Sequence, residues 1–406
     1  MEPKIRIKGF SEDWKKVYIG ACGTWSKGKS LSKEDIIQDG INKCIHYGEL
    51  FTLYNEVIHT VCSRTNIVKG RFSQIGDILF PDSDVTPTGL AKCSSIMEDN
   101  VILGGGINIL KPVKDKYSPF LSYSINREKK QIISRVTGTT VRHINAKGLS
   151  EVQISIPKGI EEQKAIAKFL ELIDSQISVS TSRLASLKQI KVASLQAMFP
   201  QDGETMPKVR FKEFNGEWKR VKLNEIAMFS RGQGYLKSDL IDQGHPIILY
   251  GRMYTNFEFA ICKVDTHATK RENSILSEGN EVIMPASGET PEDIARASAV
   301  LVKQVILGGD LNIMRFDLRN YCTPFIALAI TYGKTHAELS KYSQGKSVVH
   351  LHNREIRKAS IMIPSYKEQQ AIADFFTNLD HQISLHAKRL EKLKHIKAAC
   401  IEKMFV

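Results

Sequence analysis

This chain of 406 residues has no C-x-x-C pair, no Pro-Pro dipeptide and no Walker A string. Each absence removes a class of function. Its seven cysteines stand at 22, 44, 62, 93, 262, 322 and 400. An odd number with no metal-ligand spacing speaks against a disulfide framework and against a zinc site, and it fits a reducing cytoplasm. Without Pro-Pro there is no polar-Pro-Pro-aromatic signature of an amino methyltransferase. Without Walker A there is no phosphate-cradling loop of that type. The opening Met-Glu-Pro-Lys-Ile-Arg lacks the apolar core of a signal peptide. No apolar run approaches the roughly 18 residues of a membrane span, so a cytoplasmic protein with no membrane partner is expected.

What the chain does have, it has nearly twice. Pro3-Lys-Ile-Arg-Ile-Lys8 returns as Pro207-Lys-Val-Arg-Phe-Lys212, an offset of 207 − 3 = 204. Val101-Ile-Leu-Gly-Gly105 returns as Val305-Ile-Leu-Gly-Gly309, again 204 later. Glu162-Gln163 returns as Glu368-Gln369, and Met198-Phe199 as Met404-Phe405, both with an offset of 206. A period this long is far beyond the roughly 20–50 residues of solenoid repeats. It marks a duplicated module, each copy long enough for its own core.

Charge follows the same duplication. The net charge is +13, the electrostatic footprint of a partner that is a polyanion. Residues 111–147 hold nine Lys and Arg against Asp115 and Glu128, and residues 315–358 hold eight against Asp317, Glu338 and Glu355. The excess therefore lies in the same part of each copy.

Each copy divides into a mixed first part and a helical last part. The first parts carry short apolar runs punctuated by Gly and Pro. Gly76–Pro81 and Asn280–Pro285 read as buried strands ended by proline, and Glu151–Pro157 and Ala359–Pro364 as half-buried strands of period two. Helical signals occur near 32–38 and 324–332. The runs Gly104-Gly-Gly106 and Gly308-Gly309 precede strand-like segments, not the helix that follows a nucleotide-binding glycine loop, so they read as turns. The expected fold is α+β: two pseudo-symmetric modules with mostly antiparallel sheets, over 1–158 and 201–364, joined by long helices over 159–200 and 365–406.

Residues 161–199 contain neither Gly nor Pro. Ile166, Leu170, Ile173, Ile177, Ser180, Leu184 and Leu187 recur in steps of four and three. Ile372, Phe376, Leu379, Ile383, His386, Leu390 and Leu393 repeat them 206 later. This is the a/d seam of a coiled coil. At 1.5 Å per residue such a helix is roughly 58 Å long, more than one module can cover, so the two seams are expected to pair. A pseudo-dyad makes the pair antiparallel. With ends aligned, the midpoints are (161 + 199)/2 = 180 and (367 + 405)/2 = 386, placing Ser180 near His386. The expectation is a dumbbell, with a rigid rod setting the separation of two modules. Ser365-Tyr-Lys-Glu368 reads as a capping box opening the second helix, and Gly159 with Glu162 as its weaker counterpart.

Catalytic constellations are thin. Asp82, Glu128 and Lys130 mimic a PD…ExK nuclease, but the second copy has Ala286 after Pro285 and no matching ExK. His350 and His352 have metal-ligand spacing, yet the first copy has His143 and Asn145 there, so no metal is expected. Two Gly-centred turns recur instead. Ser134–His143, with Gly138, Thr139, Thr140 and Arg142, aligns with Lys341–His350, with Gly345, Lys346 and Ser347. Ser26-Lys27-Gly-Lys29-Ser30 matches Ser230-Arg231-Gly-Gln-Gly234. Backbone N–H groups, hydroxyls and Arg or Lys heads are the usual donors to phosphates, and Arg and amide side chains also read base edges.

On these residues the chain resembles the specificity (S) subunit of type I restriction–modification systems. The carrying motifs are Pro207–Trp218 with its copy Pro3–Trp14, Gly138–Ile144, Ile154–Pro157, Glu161–Ala167 and Tyr366–Ala373, so the resemblance spans essentially the whole chain. It implies two target-recognition domains, each reading half of a bipartite site in double-stranded DNA, and an antiparallel coiled coil that sets the spacer. It implies no catalytic activity and no cofactor on this chain. Two modification (M) subunits using S-adenosylmethionine would methylate adenine, and restriction (R) subunits driven by ATP with Mg would cleave. Carried over by position, Gly138, Thr139, Thr140, Arg142, His143, Gly345, Lys346, Ser347 and His350 are the leading candidates for DNA contact, with Lys27, Lys29 and Arg231 next. Ile173, Ile177, Ser180, Leu184, Leu379, Ile383, His386 and Leu390 form the seam. The mismatch between Thr139–Arg142 and Lys346–Val349 implies an asymmetric target. The readings from other classes are an autonomous nuclease built on Asp82, and a structural coiled-coil linker that binds no DNA.

Overall fold

The computed structural model describes residues 2–29, 31–201, 203–345 and 348–406. The chain forms two units. Unit 1 comprises Met1–Thr181 with Lys388–Val406, and unit 2 comprises Ser182–Ala387. The two long helices, Ile160–Ala197 and Tyr366–Met404, therefore each begin in one unit and end in the other. No helix among the described residues is long and apolar enough to cross a membrane.

Unit 1 is built on a five-stranded sheet in the order Gly23–Lys27, Ile107–Pro112, Ile78–Pro81, Ser94–Ile96, Val57–Ile58, antiparallel except for the last pair. Unit 2 repeats it with Ala227–Arg231, Leu311–Phe316, Glu281–Pro285, Ser298–Val300 and Ala260–Ile261. In both, a four-stranded sheet and two two-stranded ribbons complete the β structure. The strands ended by Pro81 and Pro285 are buried along their whole length, as continuous apolar runs require. Gly106 lies in the turn before Ile107–Pro112, with φ +81°.

Two local expectations are corrected. Residues 32–38 form only a three-residue 3-10 turn, Lys33–Asp35: Ser32 and Asp35 make a capping box, but Ile36 turns extended and the Ile37 amide bonds across to the Arg64 carbonyl instead of back along a helix. The strand Gln153–Pro157 is not half-buried. Ser155, on its polar face, is also buried, because the helix Ser118–Arg127 lies over it and Ser124 Oγ donates to the Ser155 carbonyl.

The foot of each long helix explains why Glu-Gln recurs. Glu162 is 2% exposed and receives Arg6 Nε and Nη2, both at 2.8 Å, and Trp14 Nε1 at 3.4 Å. Glu368 receives Arg210 Nε and Nη2, both at 2.7 Å, and Trp218 Nε1 at 3.3 Å. The Ser365 hydroxyl does accept from the Glu368 amide. The Glu368 carboxylate, however, serves the arginine and not the reciprocal bond of a capping box. The next residue ties down the loop before the module's own helix. Gln163 accepts from the Tyr117 amide and donates to the Pro157 carbonyl, and Gln369 does the same with Cys322 and Pro364.

The far ends explain Met-Phe. Phe405 joins the core of unit 1, stacked on Phe120 at 5.3 Å with Trp14 edge-on at 6.1 Å. Phe199 joins the core of unit 2, against Phe325, Phe376 and Trp218. The opening segments seal these ends: the Ile5 amide donates to the Lys403 carbonyl, and the Val209 amide to that of Ala197. Within each unit the helices run antiparallel. Lys397 meets Asp174 at 2.7 Å and Arg389 meets Gln176 in unit 1. In unit 2, Lys191 meets Asp380 at 2.5 Å and Phe199 stacks on Phe376. The two Asp–Lys bridges are copies of one another, since 174 + 206 = 380 and 191 + 206 = 397. Ile173, Ser180, Leu379 and Leu390 are buried, and Ile177, Leu184, Ile383 and His386 are half-buried. The seam thus faces inward along both helices. Ser180 closes unit 1 and His386 lies at the end of unit 2.

Unit 1 adds a charge network here. Lys397 also binds Glu56 at 2.8 Å, and Tyr123 donates to Asp174 at 2.6 Å. Burial alone would push the Glu56 carboxyl up, but the Lys397 ammonium outweighs it and holds the group below the ordinary carboxylate range. A carboxyl lowered in the folded state stabilises fully above its unfolded value and loses that contribution as pH falls.

Two outcomes follow for stability. Glu162→Ala leaves the Arg6 guanidinium without its partner, and removing one member of such a buried pair costs about 3 kcal/mol or more. Urea unfolding of the full chain should show that loss, and Glu368→Ala should show a similar one. Lys397→Met should reduce the fall in stability between neutral pH and pH 4, read by thermal unfolding across that range, because Glu56 then has no ammonium to hold it ionised.

Candidate nucleic-acid interface

The two sequence-predicted turns meet in each unit. In unit 1, Thr137 and His143 exchange backbone hydrogen bonds at 3.0 and 2.8 Å, closing a hairpin whose turn requires Gly138 at φ +93°. In unit 2, Gln344 and His350 exchange bonds at 3.0 and 2.7 Å around Gly345 at φ +132°. A Cβ at either glycine would lie within 2.3 Å of a loop carbonyl, that of Val141 or Val348. The returning strands, Arg142–His143 and Val349–His350, pair with Ser83–Asp84 and Ser287–Gly288.

The second turn packs against the first sheet at its edge. Lys27 and Arg231 end the outer strands, in register with Asn108 and Asn312. The glycine after each basic residue permits close approach: a Cβ on Gly28 would stand 2.0 Å from the Gly104 carbonyl, and one on Gly232 1.8 Å from that of Gly308. Asn108 and Asn312 are fully buried. Asn108 Nδ2 donates to the Ile144 carbonyl at 3.0 Å, and Asn312 Nδ2 to that of Leu351 at 2.7 Å. These amides tie each hairpin to the strand next to the outer one, Ile107–Pro112 or Leu311–Phe316. Sequence reasoning missed them. The signal was there, since both lie in Ile/Leu-Asn-Ile runs offset by 312 − 108 = 204, a polar residue inside a buried strand.

Thr139, Thr140, His143, Lys27, Lys29, Arg231 and His350 are exposed. Arg142 is half-buried, its Nη1 donating to the Gly138 carbonyl at 3.3 Å, so part of its donor set stiffens the loop. Lys346 and Ser347 lie outside the described residues.

The units differ in chemistry around this shared frame. In unit 1, Lys27 Nζ lies 2.8 Å from Asp82 Oδ2, and Ser83 Oγ donates to Asp82 Oδ1 at 2.7 Å. Ser83 Oγ is also 2.9 Å from His143 Nδ1. A hydroxyl has one proton. With that proton on Asp82, His143 Nδ1 must donate, and Nε2 of the neutral ring becomes an acceptor. A cleft of about 160 Å³ opens here, lined by Lys27, Asp82, Arg135, Thr137, His143 and Asn145. In unit 2, Ala286 replaces Asp82, and Ser287 Oγ, 3.2 Å from His350 Nδ1, is free to donate to it. Unit 2 has instead a cavity of about 490 Å³ beside Ser287 and Val348, lined by Tyr250, Tyr254, Glu289, Asp293 and Arg296.

The nuclease constellation does not assemble. Asp82 serves Lys27 and Ser83, while Glu128 serves Arg127 and Gln131. Among the described residues no group of three or more His, Cys, Asp or Glu is placed to hold a metal. His350 and His352 stack, with ring centroids 6.0 Å apart.

Asn108→Ala should free the hairpin of unit 1 from its sheet. Amide hydrogen exchange at Thr137 and His143 should rise at least tenfold while Gln344 and His350 stay unchanged, since losing a buried hydrogen bond costs about 1–3 kcal/mol.

Comparison with known proteins gives matches along the chain. The family model described as the type I restriction modification DNA specificity domain matches twice, over residues 11–189 and 215–395. The type I restriction enzyme MjaVIII specificity subunit of Methanocaldococcus jannaschii is 21% identical over 290 residues, covering 68% of this chain and 67% of that protein. The crystal structure of a type I restriction–modification S subunit from M. genitalium superposes with a TM-score of 0.65 at 16% identity, covering 100% of this chain and 99% of that one. At that identity the likeness is one of fold.

Proposed function

The chain belongs to the type I restriction–modification DNA specificity family, and on that premise we propose that it reads a bipartite, asymmetric DNA site, one half with each unit. As a specificity subunit it is non-catalytic, and the chemistry belongs to partner subunits. The observation that carries the reading is the hairpin tethered by a buried asparagine in both units, beside a basic residue at the same strand end. Lys27, Lys29, Gly138, Thr139, Thr140, Arg142 and His143 would contact one half-site, and Arg231, Gly345, Lys346, Ser347 and His350 the other. The excess positive charge supports phosphate contact on either side.

The recognition domains are taken as 1–158 and 201–364, with the helices over 159–200 and 365–406 as the ruler between half-sites. Buried contacts at both ends of each helix support a stiff ruler, and Ser180 opposite His386 would fix its register. Two modification subunits would dock on the helices. A second apolar stripe supports a partner present twice. Phe169, Leu172, Val179 and Ile190 are exposed on the first helix, as are Leu385 and Ile396 on the second, which lie 206 after Val179 and Ile190. Methylation of adenine with S-adenosylmethionine would be the work of those subunits, on a base flipped from the stack. ATP-driven cleavage with Mg would be the work of restriction subunits. A cytoplasmic location fits these partners.

The readings as an autonomous nuclease and as an inert linker find no support: the acidic groups of the first are occupied elsewhere, and the family is one of DNA specificity.

Filter binding of the complex with its methyltransferase partner should weaken steeply with salt. Arg142→Ala should lower affinity several-fold and leave the unfolding transition unchanged. Unaltered affinity at every salt concentration would remove Arg142 from the interface. Inserting four helical residues after Ser180 should lengthen the rod by roughly 6 Å and shift the preferred spacer, as read by mapping methylated sites. A fixed spacer preference would sink the ruler.

A further inference from the structure

The Lys27–Asp82 pair is the feature of unit 1 that a phosphate-binding surface does not explain. A carboxylate repels phosphates and only accepts hydrogen bonds. Here it is fixed by Ser83 on one oxygen and bound to an exposed ammonium on the other. It also lines the cleft under the hairpin, beside Thr137 and His143. Unit 2 has the same Ser–His frame and the same strand end, but with Ala286 at this place. The carboxylate is therefore dispensable for building the frame.

We propose that Lys27 and Asp82 together read one base pair in the half-site of unit 1 by its amino group beside a keto oxygen, which admits C·G or A·T with the amino base facing Asp82. The proposal rests on the DNA-recognition reading above and deepens it. The argument is one of complementarity. Lys27 Nζ and Asp82 Oδ2 are 2.8 Å apart, so the pair presents a donor and an acceptor side by side. In the major groove a C·G pair presents the cytosine N4 amino donor beside the guanine O6 and N7 acceptors. Asp82 accepts from N4 and Lys27 donates to O6 or N7. An A·T pair presents the same order, the adenine N6 donor beside the thymine O4 acceptor, and fits as well. G·C and T·A reverse the order, setting a keto oxygen against Asp82 and an amino group against Lys27. Arg231 with Ala286 has no acceptor to match, so the preference is confined to unit 1.

The test is single-molecule sequencing of adenine methylation in cells producing this chain with its methyltransferase partner. In the wild type, one half of the bipartite motif should contain a position restricted to cytosine, adenine or both on one strand. Asp82→Ala places in unit 1 the residue that unit 2 already carries, so the fold tolerates it. It should relax that one position, with methylation at the two excluded pairs, G·C and T·A, rising roughly tenfold or more, and leave the second half-site intact. Lys27→Ala should relax the same position. Arg231→Ala identifies the half belonging to unit 2, since its effect should fall there.

Three outcomes overturn the proposal. The first is an unchanged motif in Asp82→Ala. The second is relaxation at a position not restricted to an amino base, cytosine or adenine, on one strand. The third is a Lys27→Ala variant that lowers methylation uniformly with no change of motif, which makes Lys27 a phosphate contact. A wild-type complex with no bipartite motif at all would instead overturn the underlying reading. Should Asp82→Ala fail to accumulate, Asp82→Asn serves the same test. Its amide can donate as well as accept, so keto bases should become acceptable at the same position, and a motif still restricted to amino bases there would overturn the proposal.

Discussion

The buried glutamate at the foot of each long helix is the contact on which the rest depends. Glu162 holds Arg6 and Trp14, and Glu368 holds Arg210 and Trp218. Each carboxylate is almost without solvent, so its arginine cannot leave without exposing an unpaired buried charge. The same arginine-bearing segment hydrogen-bonds, through Ile5 or Val209, to the last turn of the other long helix. One interaction thus fixes where one helix starts and another ends. Phe405 and Phe199 then fill the space beside the tryptophan. That is why Pro-Lys-x-Arg, Trp, Glu-Gln and Met-Phe recur together, although they lie far apart in sequence: they are parts of one joint.

Above the joint, the frame is duplicated and the chemistry is not. Asn108 and Asn312, Gly28 and Gly232, and the Ser83–His143 and Ser287–His350 contacts are the same in both units. The differences cluster at the ends of strands that face the hairpins. Asp82 stands against Ala286, and Lys27 against Arg231. Gly106, whose added Cβ would stand 2.8 Å from Tyr47, is matched by Asp310, which takes a left-handed conformation at φ +57°. Even the histidine that both copies share changes character. Ser83 gives its proton to Asp82 and so must accept from His143, whereas Ser287 has no such acceptor. Two units with one backbone frame therefore offer different patterns of donors and acceptors.

The parts that sequence made legible are those with a period. The seam from Ile173 to Leu184 and from Leu379 to Leu390 follows from steps of four and three, and the buried strands ended by Pro81 and Pro285 follow from continuous apolar runs. The hairpins followed from duplicated glycines. What stayed hidden depends on register between distant segments. Nothing local in Lys27 announces Asp82, because their meeting needs three strands to pair in order. The Lys397–Asp174 and Lys191–Asp380 bridges lie off the seam, where charge alone reads as solvated surface. The turn at 32–38 was misread as helix because its start is a genuine capping box, while the Ile37 amide is taken by the carbonyl of the distant Arg64, which no local signal announces. The buried face of Gln153–Pro157 was misread because alternation reports one packed face and the covering helix supplied the second.

The separation of joint from reader has a physical consequence for how such a chain changes its target. Residues that set the helices sit at Glu162, Gln163, Phe199 and their copies, in contact with Trp14, Trp218 and the module cores. Residues that would touch a base lie at strand ends and hairpin tips, held by backbone hydrogen bonds and one buried amide. A substitution at Asp82 or Arg231 removes side-chain atoms without touching a core cluster, and the presence of Ala286 shows that the frame stands without the carboxylate. A substitution at Glu162 or Phe405 does the reverse. It disturbs the joint and carries no information about a base. Side chains at the strand ends can therefore change in one unit at a time while the duplicated frame stays fixed.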